Sequence, residues 1–435
     1  MTTVTRRNVL KGGTALVGGM AGILAAGRAP AYAQATTVHW LRWTDFVPAS
    51  DQLLRNEIAK EGEKALGIKL NIETINANDI QARVTSAIQS GSGPDVVCVL
   101  NNWGQLYSES VIDVSDIAEV LGKGQGGFYE TSRVVANDGK KWIAVPWCIV
   151  GLQIAYRKSW FAEIGYTDGK FPQTWEEYRE AGKKLKAKGR PIGQTLGHTF
   201  GDAPAFAYPY LWSWGGKEVE ADGKTVALNS PATVESVKFM VAFWKDAHDE
   251  GALAWDDSNN NRAFLSGSCS ATNNGASIEA LKKPDAYQTE KGTPLKYDIL
   301  HAPLPKGPAG QFSFHVPFSN MVMKYSKDLK ATKEFVRWIG SKEIFEQWFI
   351  SQKGFSVGPT TNWEKHKLWD NDPIMLPFRT AAKSRFAAYA GPSTRKAGEV
   401  VTKYIITDMF AKAVQGMPAE QAVKEAHDEL VRIYA

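Results

Sequence analysis

The sequence lacks the motifs that mark the commonest enzyme classes. It contains no phosphate-binding Walker A loop, no zinc-binding HExxH helix and no G-x-S-x-G nucleophile turn. Its 7 histidines are scattered, and no two have the four-residue spacing that places two metal ligands on one helix face. These absences argue against the commonest nucleotide, zinc and serine-hydrolase chemistries. We therefore predict no metal site and no cofactor.

Cysteine is scarce as well. Cys98, Cys148 and Cys269 stand in apolar or small-residue segments and form no CxxC pair. An odd number of cysteines leaves at least one thiol unpaired, even in an oxidising compartment. We expect buried side chains that behave as small hydrophobes, with at most one disulfide.

Long hydrophobic runs are also missing. The nearest approach, Val9–Ala26, is interrupted by Lys11 and five glycines, whereas a membrane span needs about 20 predominantly apolar residues. Paired arginines at positions 6 and 7 precede it, and an A-x-A cleavage site at 31–33 follows it. This order is typical of a twin-arginine export signal rather than a membrane anchor. We predict that residues 1–33 are removed near Ala33 and that the mature chain is soluble in the periplasm.

Without that segment the chain has little excess of either charge. The whole sequence carries +5, but residues 1–35 hold four basic residues and no acidic one, which leaves +1. A nearly neutral chain has no electrostatic reason to bind nucleic acid or an anionic membrane. About 400 residues remain, more than one hydrophobic core usually organises. We expect two domains and no nucleic-acid partner.

What the chain does contain is an alternation of strand-like and helix-like segments. Strand patterns at 38–43, 68–75 and 95–100 alternate with amphipathic helix patterns at 50–65 and 78–90. A second alternating region begins near Trp142, and in it Thr174 and Ser230 stand where helix N-caps are expected. Such alternation predicts an α/β fold with mostly parallel sheets flanked by helices.

Aromatic, amide and acidic residues follow several of the predicted strands. In an open α/β sheet, ligands bind beyond the carboxyl ends of the strands. A sugar suits such residues, because aromatic rings stack on its C–H faces while Asn and Asp supply donors and acceptors for its hydroxyls. Each buried hydroxyl left unpaired would cost about 1–3 kcal/mol. The candidate cleft residues at these positions are Trp43, Asp45, Asn102, Trp103, Trp147, His198, Asp202, Asn274, Ser277 and His315.

Several segments carry a resemblance to a known family. Ser90–Val97 is similar to a G-x-x-P-D-V segment, and Phe171–Tyr178 to a P-x-T-W-x-E run. Ala263–Gly275 is similar to an F-x-x-G to N-G element, although the usual Met is absent; Pro303–Pro305 and Lys333–Val336 match later elements. In this order, the segments resemble the family 1 extracellular solute-binding proteins of ABC transporters.

The resemblance implies a two-lobed α/β fold of the type II periplasmic-binding kind, with a ligand cleft at the hinge. Its lobes would comprise 37–148 with 312–354, and 149–311 with 355–435. Such proteins mostly bind sugars or polyols, are not enzymes, and deliver the ligand to permease subunits in the inner membrane. By position, Tyr389 and Arg395 would close the far side of the cleft. We expect a monomer in which Trp43, Trp103 or Trp147 stacks on the ligand while Asn102, Asp202 and Asn274 bond its hydroxyls.

Two other kinds of function stay open at this stage. A periplasmic glycan hydrolase or lyase would need two acids facing one cleft, roughly 5–10 Å apart, and Asp45 with Asp202 is the pair we consider. A binding protein for a polyamine would need several facing carboxylates, and one for iron would need clustered Tyr and His. The sequence does not identify the sugar, and His198, His315 and Arg395 leave an anionic ligand open.

Overall fold

The structure is a computed structural model that describes residues 36–275, 283 and 285–435. The predicted export signal, 1–33, and the candidate residue Ser277 lie outside the described residues. Within them, no helix is long and apolar enough to span a bilayer.

The described residues form two β-sheets. Their strands are β1 (Thr37–Trp43), β2 (Lys69–Ile75), β3 (Val96–Leu100), β4 (Val145–Val150), β5 (Gln153–Arg157), β6 (Ala271–Asn274), β7 (Ile299–Ala302), β8 (Val316–Val322) and β9 (Ser356–Val357). One sheet has the order β2-β1-β3-β8-β4-β9, and the other has the order β6-β5-β7. We call the six-stranded sheet with its helices the first lobe, and the three-stranded sheet with its helices the second lobe. The predicted two-lobed α/β fold is confirmed.

Strand direction differs from the prediction of mostly parallel sheets. The β1 strand pairs in parallel with β2 and β3, as the alternation of strands and helices in 37–100 requires. The β8 strand, however, pairs antiparallel with both β3 and β4, and every described pairing of the three-stranded sheet is antiparallel. Local alternation specifies only neighbouring units, whereas β8 returns from a distant part of the chain. The first sheet is therefore mixed.

Helices cover both sheets. They are α1 (Pro48–Leu53), α2 (Ala59–Leu66), α3 (Ile80–Ser90), α4 (Ser115–Gly124), α5 (Glu130–Ala136), α6 (Lys158–Ala162), α7 (Trp175–Lys186), α8 (Asp202–Ser213), α9 (Pro231–Ala247), α10 (Asn259–Leu265), α11 (Leu329–Ile339), α12 (Lys342–Ser351), α13 (Arg395–Thr402), α14 (Ile405–Val414) and α15 (Ala419–Tyr434). A π-helical turn, Leu54–Ile58, joins α1 to α2. The predicted caps are present: Thr174 accepts a hydrogen bond from the Glu177 N–H, and Ser230 accepts one from the Thr233 N–H.

The described chain changes sheets at two places, and a third crossing between the lobes was predicted. It leaves the first sheet after Val150 and enters the second at Gln153, then returns between Ala302 and Val316. The third crossing was predicted near Phe355, yet β9 still pairs with β4 and the Trp363 ring contacts Phe349 at 5.0 Å. We therefore propose that the third crossing lies after Trp369, whose ring still contacts Phe349. A two-residue strand such as β9 carries no sequence pattern that reveals its sheet.

Trp147 lies in the core of the first lobe. Its indole packs edge-on to Trp40 at 5.7 Å and to Phe345 at 4.9 Å, and it is 4.8 Å from Trp348. Only 1% of its surface is exposed. The residue therefore packs the sheet against α12, and this geometry does not support the expectation that it stacks on a ligand.

We predict that Trp147→Ala lowers the free energy of unfolding by about 3–5 kcal/mol, because it removes a buried indole and leaves a cavity. Urea unfolding followed by circular dichroism measures this change. Trp255→Ala is the matched control, since Trp255 is only partly buried and its loss costs less. An unchanged midpoint for Trp147→Ala would contradict the assignment to the core.

The three cysteines are free and buried. Cys98 lies on β3 and Cys148 on β4, and β8 runs between these two strands. Strands two apart are separated by about 10 Å, which exceeds the roughly 7 Å limit between the Cα atoms of a disulfide. Burial also raises the pKa of the Cys98 thiol to about 12, so it stays protonated at neutral pH. The thiols act as small apolar side chains.

Candidate functional site

A cavity of about 230 Å³ lies between the two lobes. The first lobe contributes the loops after β1 and β2, and the second lobe contributes the segment before α8 and the turn before α10. The lining residues are Trp43, Thr44, Asp45, Phe46, Asn76, Ala77, Asn78, Phe200, Asp256, Asp257 and Ser258. The structure therefore brings Trp43 and Asp45, two of the predicted residues, to one site.

Trp43 ends β1 at the wall of this cavity. Its ring lies 4.8 Å from Phe318 and packs edge-on to Phe46 at 5.7 Å. The indole N–H is buried and has no hydrogen-bond partner among the described residues. A buried donor without a partner costs about 1–3 kcal/mol, so this N–H is suited to a ligand oxygen.

Asp45 is held within the first lobe. Its carboxylate accepts hydrogen bonds from the Val47 N–H at 2.8 Å and from the Gln352 amide at 2.8 Å, and Arg42 lies 3.7 Å away. Burial raises the pKa of the Asp45 carboxyl to about 6, although the Arg42 guanidinium lowers it. The carboxylate contacts are thus made by its own lobe, and the residue forms part of the cavity wall.

Asp202 and Asn274, both expected to bond ligand hydroxyls, contact each other in the second lobe. The Asp202 carboxylate accepts hydrogen bonds from the amides of Asn260 at 2.7 Å and Asn274 at 3.1 Å. Burial, together with the neighbouring Asp257 charge, raises the pKa of Asp202 well above its usual range. The network joins β6 to the start of α8 behind the cavity wall. Both residues therefore shape the wall indirectly, by positioning the residues that line the cavity.

The sequence reasoning missed Asp257. Its carboxylate accepts hydrogen bonds from the N–H groups of Phe200, Gly201 and Asp202 at 2.9–3.2 Å, which positions the segment that enters α8. Burial raises the pKa of Asp257 to about 6 against the lowering effect of these donors. The one available signal was the Asp256-Asp257 pair directly after Trp255. Acidic pairs are common in loops, however, and this one follows no predicted strand.

Residues after β3 form a floor between the lobes that is separate from the 230 Å³ cavity and does not line it. The Asn101 amide donates to the Phe200 carbonyl at 3.0 Å, which connects the first lobe to the second. Asn102 is 2% exposed, and neither its amide nitrogen nor its amide oxygen has a partner among the described residues. Both residues line a narrow space of about 10 Å³ beside His315. The lobes thus lie close together over a polar floor.

His315 connects two of the crossing segments. Its Nδ1 accepts a hydrogen bond from the Leu152 N–H at 3.0 Å. Burial lowers the pKa of His315 to about 4, so the ring is neutral at pH 7. The residue therefore supports the hinge as a hydrogen-bond acceptor and supplies no positive charge there.

The remaining predicted residues do not line the 230 Å³ cavity. His198 pairs with Asp408 at 2.7 Å and stacks on Tyr404. Tyr389 packs on Trp212 and lies beneath the Arg385 guanidinium. Trp103 is buried at the start of a 3₁₀ helix, and Arg395 is exposed in the first turn of α13.

A larger groove of about 630 Å³ lies between α14 and α15, away from the cleft. It is lined by surface ion pairs such as Lys412–Glu425 at 3.2 Å. Among the residues that the structure describes, no group of three or more His, Cys, Asp or Glu side chains could hold a metal ion. The inter-lobe cavity, with its rings and unpartnered polar atoms, is the better candidate site.

Comparison with known proteins agrees with this geometry. The family model described as "Bacterial extracellular solute-binding protein" matches residues 49–344, more than half of the chain. The chain belongs to this family. Membership of an extracellular family means that this solute-binding protein is exported.

Solved structures show the same fold at low identity. Maltose-bound MalE3 of T. maritima gives a TM-score of 0.74 at 20% identity, over 91% of this chain and 99% of its own. The GacH receptor of Streptomyces glaucescens gives 0.76 at 20% identity, over 92% and 98%.

The matches to curated relatives cover smaller shares of the chains. The diacetylchitobiose binding protein DasA of Streptomyces coelicolor is 27% identical over 180 residues. That match covers 40% of this chain and 39% of DasA, so the solute-binding protein spans about two fifths of that relative's length. A putative binding protein of Brucella abortus is 24% identical over 297 residues, which cover 66% of this chain and 68% of the relative.

We predict that Asn101→Gly shifts the protein toward an open form. Asn101 has a φ of 51°, which glycine adopts freely, so the backbone tolerates the change while the bond to Phe200 is lost. A hydrogen bond worth about 1 kcal/mol corresponds to a roughly fivefold change in the ratio of closed to open molecules. Small-angle X-ray scattering measures the increase in radius of gyration. Asp168→Gly, at an exposed residue with a φ of 55°, is the matched control, and equal radii for both variants would contradict the prediction.

We predict that His315→Asn reduces acid destabilisation. Between pH 6.5 and 4 the unfolded chain protonates this histidine and the folded chain does not, so falling pH lowers the free energy of unfolding. The asparagine oxygen can still accept from Leu152 but does not titrate. The decrease in unfolding free energy between pH 7.5 and pH 5 should therefore be smaller by about 2 kcal/mol in the variant. Urea unfolding at the two pH values checks this, and identical pH dependence in both proteins would show that the folded His315 has an ordinary pKa.

Proposed function

We propose that this protein is the periplasmic substrate-binding component of an ABC importer and that it binds a small sugar or polyol between its lobes. The names of similar proteins support a carbohydrate: diacetylchitobiose for DasA, and maltose, acarbose, tagatose or ribitol for solved structures of this fold. The family supports a solute-binding role rather than an enzymatic one.

The observation that carries the proposal is the Asn102 amide. A buried amide offers two donors and two acceptor sites, and here neither of its polar atoms has a partner among the described residues. The Trp43 indole N–H and the Ser319 hydroxyl are likewise buried without partners. Trp43 lines the 230 Å³ cavity, whereas Asn102 lines the separate 10 Å³ space beside His315. A polyhydroxylated ligand supplies donors and acceptors together, so it would bond both groups once the lobes separate enough to join the two spaces, while an aromatic ring covers its C–H face.

The size of the cavity favours a small ligand. Its 230 Å³ lies below the roughly 300–1,000 Å³ of pockets for drug-sized ligands. One sugar ring or a short polyol therefore fits this arrangement better than an oligosaccharide does. Rings from both lobes, Trp43 and Phe46 on one side and Phe200 on the other, line the space.

Binding would work by a hinge. The narrow floor beside Asn102 requires the lobes to separate before a ligand enters. Closure then restores contacts such as Asn101 with Phe200, and the ligand favours the closed form only through contacts that are better there. The closed form would be the one that permease subunits recognise.

The placement of the acids supports binding rather than turnover. The Asp45 carboxylate is held by Gln352 and Arg42 in the first lobe, and the Asp202 carboxylate by Asn260 and Asn274 in the second. Both carboxylates of the acid pair considered for a glycosidase therefore already bond to protein groups. For export we propose the twin-arginine route, with cleavage near Ala33 and a monomer in the periplasm.

We predict that Asn102→Ala leaves the free energy of unfolding equal or slightly higher, because no internal hydrogen bond of the side chain is lost. The affinity for the best ligand should fall at least tenfold, about 1.4 kcal/mol. A thermal-shift screen of sugars and polyols identifies the ligand, since binding raises the melting temperature by mass action. Calorimetry then compares the parent with Asn102→Ala and with the exposed control Asn371→Ala.

Three outcomes would contradict the proposal. If no sugar or polyol raised the melting temperature, the ligand class would be wrong. If the bound carbohydrate were recovered in altered form after incubation, the protein would be an enzyme. If Asn102→Ala bound as tightly as the parent, the amide would not contact the ligand.

A further inference from the structure

The inter-lobe cavity is lined by acidic residues and by no basic one. Asp45, Asp256 and Asp257 all contribute to its wall, and no Lys, Arg or His is among the described residues that line it. Asp45 and Asp257 are buried, whereas Asp256 is exposed at the rim. The wall is not merely a group of acids, because the buried, unpartnered indole N–H of Trp43 belongs to it as well.

The cation beside this wall in the first lobe, Arg42, is already engaged. Its side chain is fully buried within the first lobe and pairs with both Asp51 and Asp45. One guanidinium therefore faces two carboxylates, which leaves a negative charge in this group. Arg42 also lies over the Trp40 ring, 5.2 Å from its centroid, and it does not line the cavity.

Other positive groups, among them the three that left an anionic ligand open, lie elsewhere. His198 is paired with Asp408, and His315 is kept neutral by burial. Arg395 is exposed on α13 and Arg385 is stacked between the rings of Phe312 and Tyr389. None of these groups lines the cavity.

The second lobe adds two carboxylates to the wall and one cation behind it, Arg262, which donates to the Ser258 hydroxyl at 2.8 Å and to the Asn259 side-chain oxygen at 2.6 Å. The Asp257 carboxylate is stabilised by three backbone N–H groups, not by a cation. Asp256 uses one carboxylate oxygen, Oδ1, to accept from the Ser258 N–H, the Ser258 hydroxyl and the Asn259 N–H. At low effective dielectric, like charges separated by a few ångströms repel by several kcal/mol.

We propose that this cavity selects its ligand by charge: it accepts a neutral sugar or polyol, binds an amine-bearing analogue at least as tightly, and rejects sugar acids and sugar phosphates. The proposal rests on the proposed function and specifies its ligand class. Repulsion by Asp45, Asp256 and Asp257 excludes anions, which is discrimination by an unfavourable contact. The faces of Trp43, Phe46 and Phe200 favour a cation over an anion.

The first test compares matched compounds. The thermal-shift panel contains each neutral sugar with its amino, carboxylate and 6-phosphate derivatives on the same carbon skeleton, for example D-glucose, D-glucosamine, D-glucuronate and D-glucose 6-phosphate. Calorimetry at pH 7.5 then gives the affinities of every skeleton that binds. We expect the carboxylate and the phosphate to bind at least tenfold more weakly than the neutral parent, and the amine to bind equally or more tightly.

The outcomes separate this inference from the proposed function. An acid or phosphate that binds as tightly as its neutral parent overturns the charge selection but leaves a carbohydrate-binding protein. A panel in which no compound of any charge binds overturns both.

A single substitution tests whether the acidic residue at the rim causes the discrimination against anions. Asp256→Asn keeps the oxygen that accepts from Ser258 and Asn259 but removes the charge at the rim of the cavity. We expect the ratio of its affinity for the carboxylate compound to its affinity for the neutral parent to rise about fivefold. Asp222→Asn is the matched control, because Asp222 makes the same kind of turn contacts, to Lys224 and Thr225, on an exposed segment outside the cavity. An acid-to-neutral affinity ratio that Asp256→Asn leaves unchanged contradicts the proposal.

Discussion

The antiparallel pairing of β8 with β3 and β4 is the constraint on which the cleft depends. Residues 316–322 return from the second lobe and insert between two strands of the first, with Leu100 opposite Phe318 at the end of β3. This pairing brings the Pro317 carbonyl to the Asn101 N–H at 2.9 Å and His315 to the Leu152 N–H at 3.0 Å. The floor of the cleft and two crossings between the lobes are therefore built by one strand. A change in the register of β8 would move both at once, since a slip by one residue turns each side chain to the opposite face.

The polar groups around the cleft fall into two kinds. Some bond to one another and hold the lobe in shape, and the others are those that we propose to contact a ligand. Asp202, Asn260 and Asn274 satisfy one another, so they fix the shape of the second lobe. Asn102 and the Trp43 indole have no such partners although they are buried. A protein that keeps unpaired polar groups in its interior bears a cost in stability, and such departures from good local packing occur mainly at functional sites. The core residues Trp147 and Trp348 also keep unpaired indole N–H groups, so position near the cleft, rather than the missing partner alone, is what makes Asn102 and Trp43 our proposed ligand contacts.

Burial of carboxylates gives the site its electrostatic character. Asp45 and Asp257 belong to different lobes, and burial raises the pKa of each to about 6. The two are stabilised by different means, a guanidinium with an amide for Asp45 and backbone N–H groups for Asp257. The proposed closure would bring these walls together around a small space, so the motion that encloses a ligand would also discriminate by its charge.

Much of this protein could be predicted from short-range patterns. The Thr174 cap, the strand at 95–100 and the helix that begins at Pro231 follow from local propensity, periodicity and side-chain contacts within a few residues. The order of family motifs predicted the two-lobed fold, and residues after strands predicted Trp43, Asp45 and Asn102 near the cleft. What the chain alone could not decide was which neighbours these residues meet. Trp147 occurs in the same kind of sequence as Trp43, yet it packs on Trp348 in the core. The mixed first sheet and the role of Asp257 likewise depend on segments far apart in sequence. Local free energies determine where helices and strands begin and end, whereas burial and charge at the cleft arise from contacts that form only when distant segments pack together.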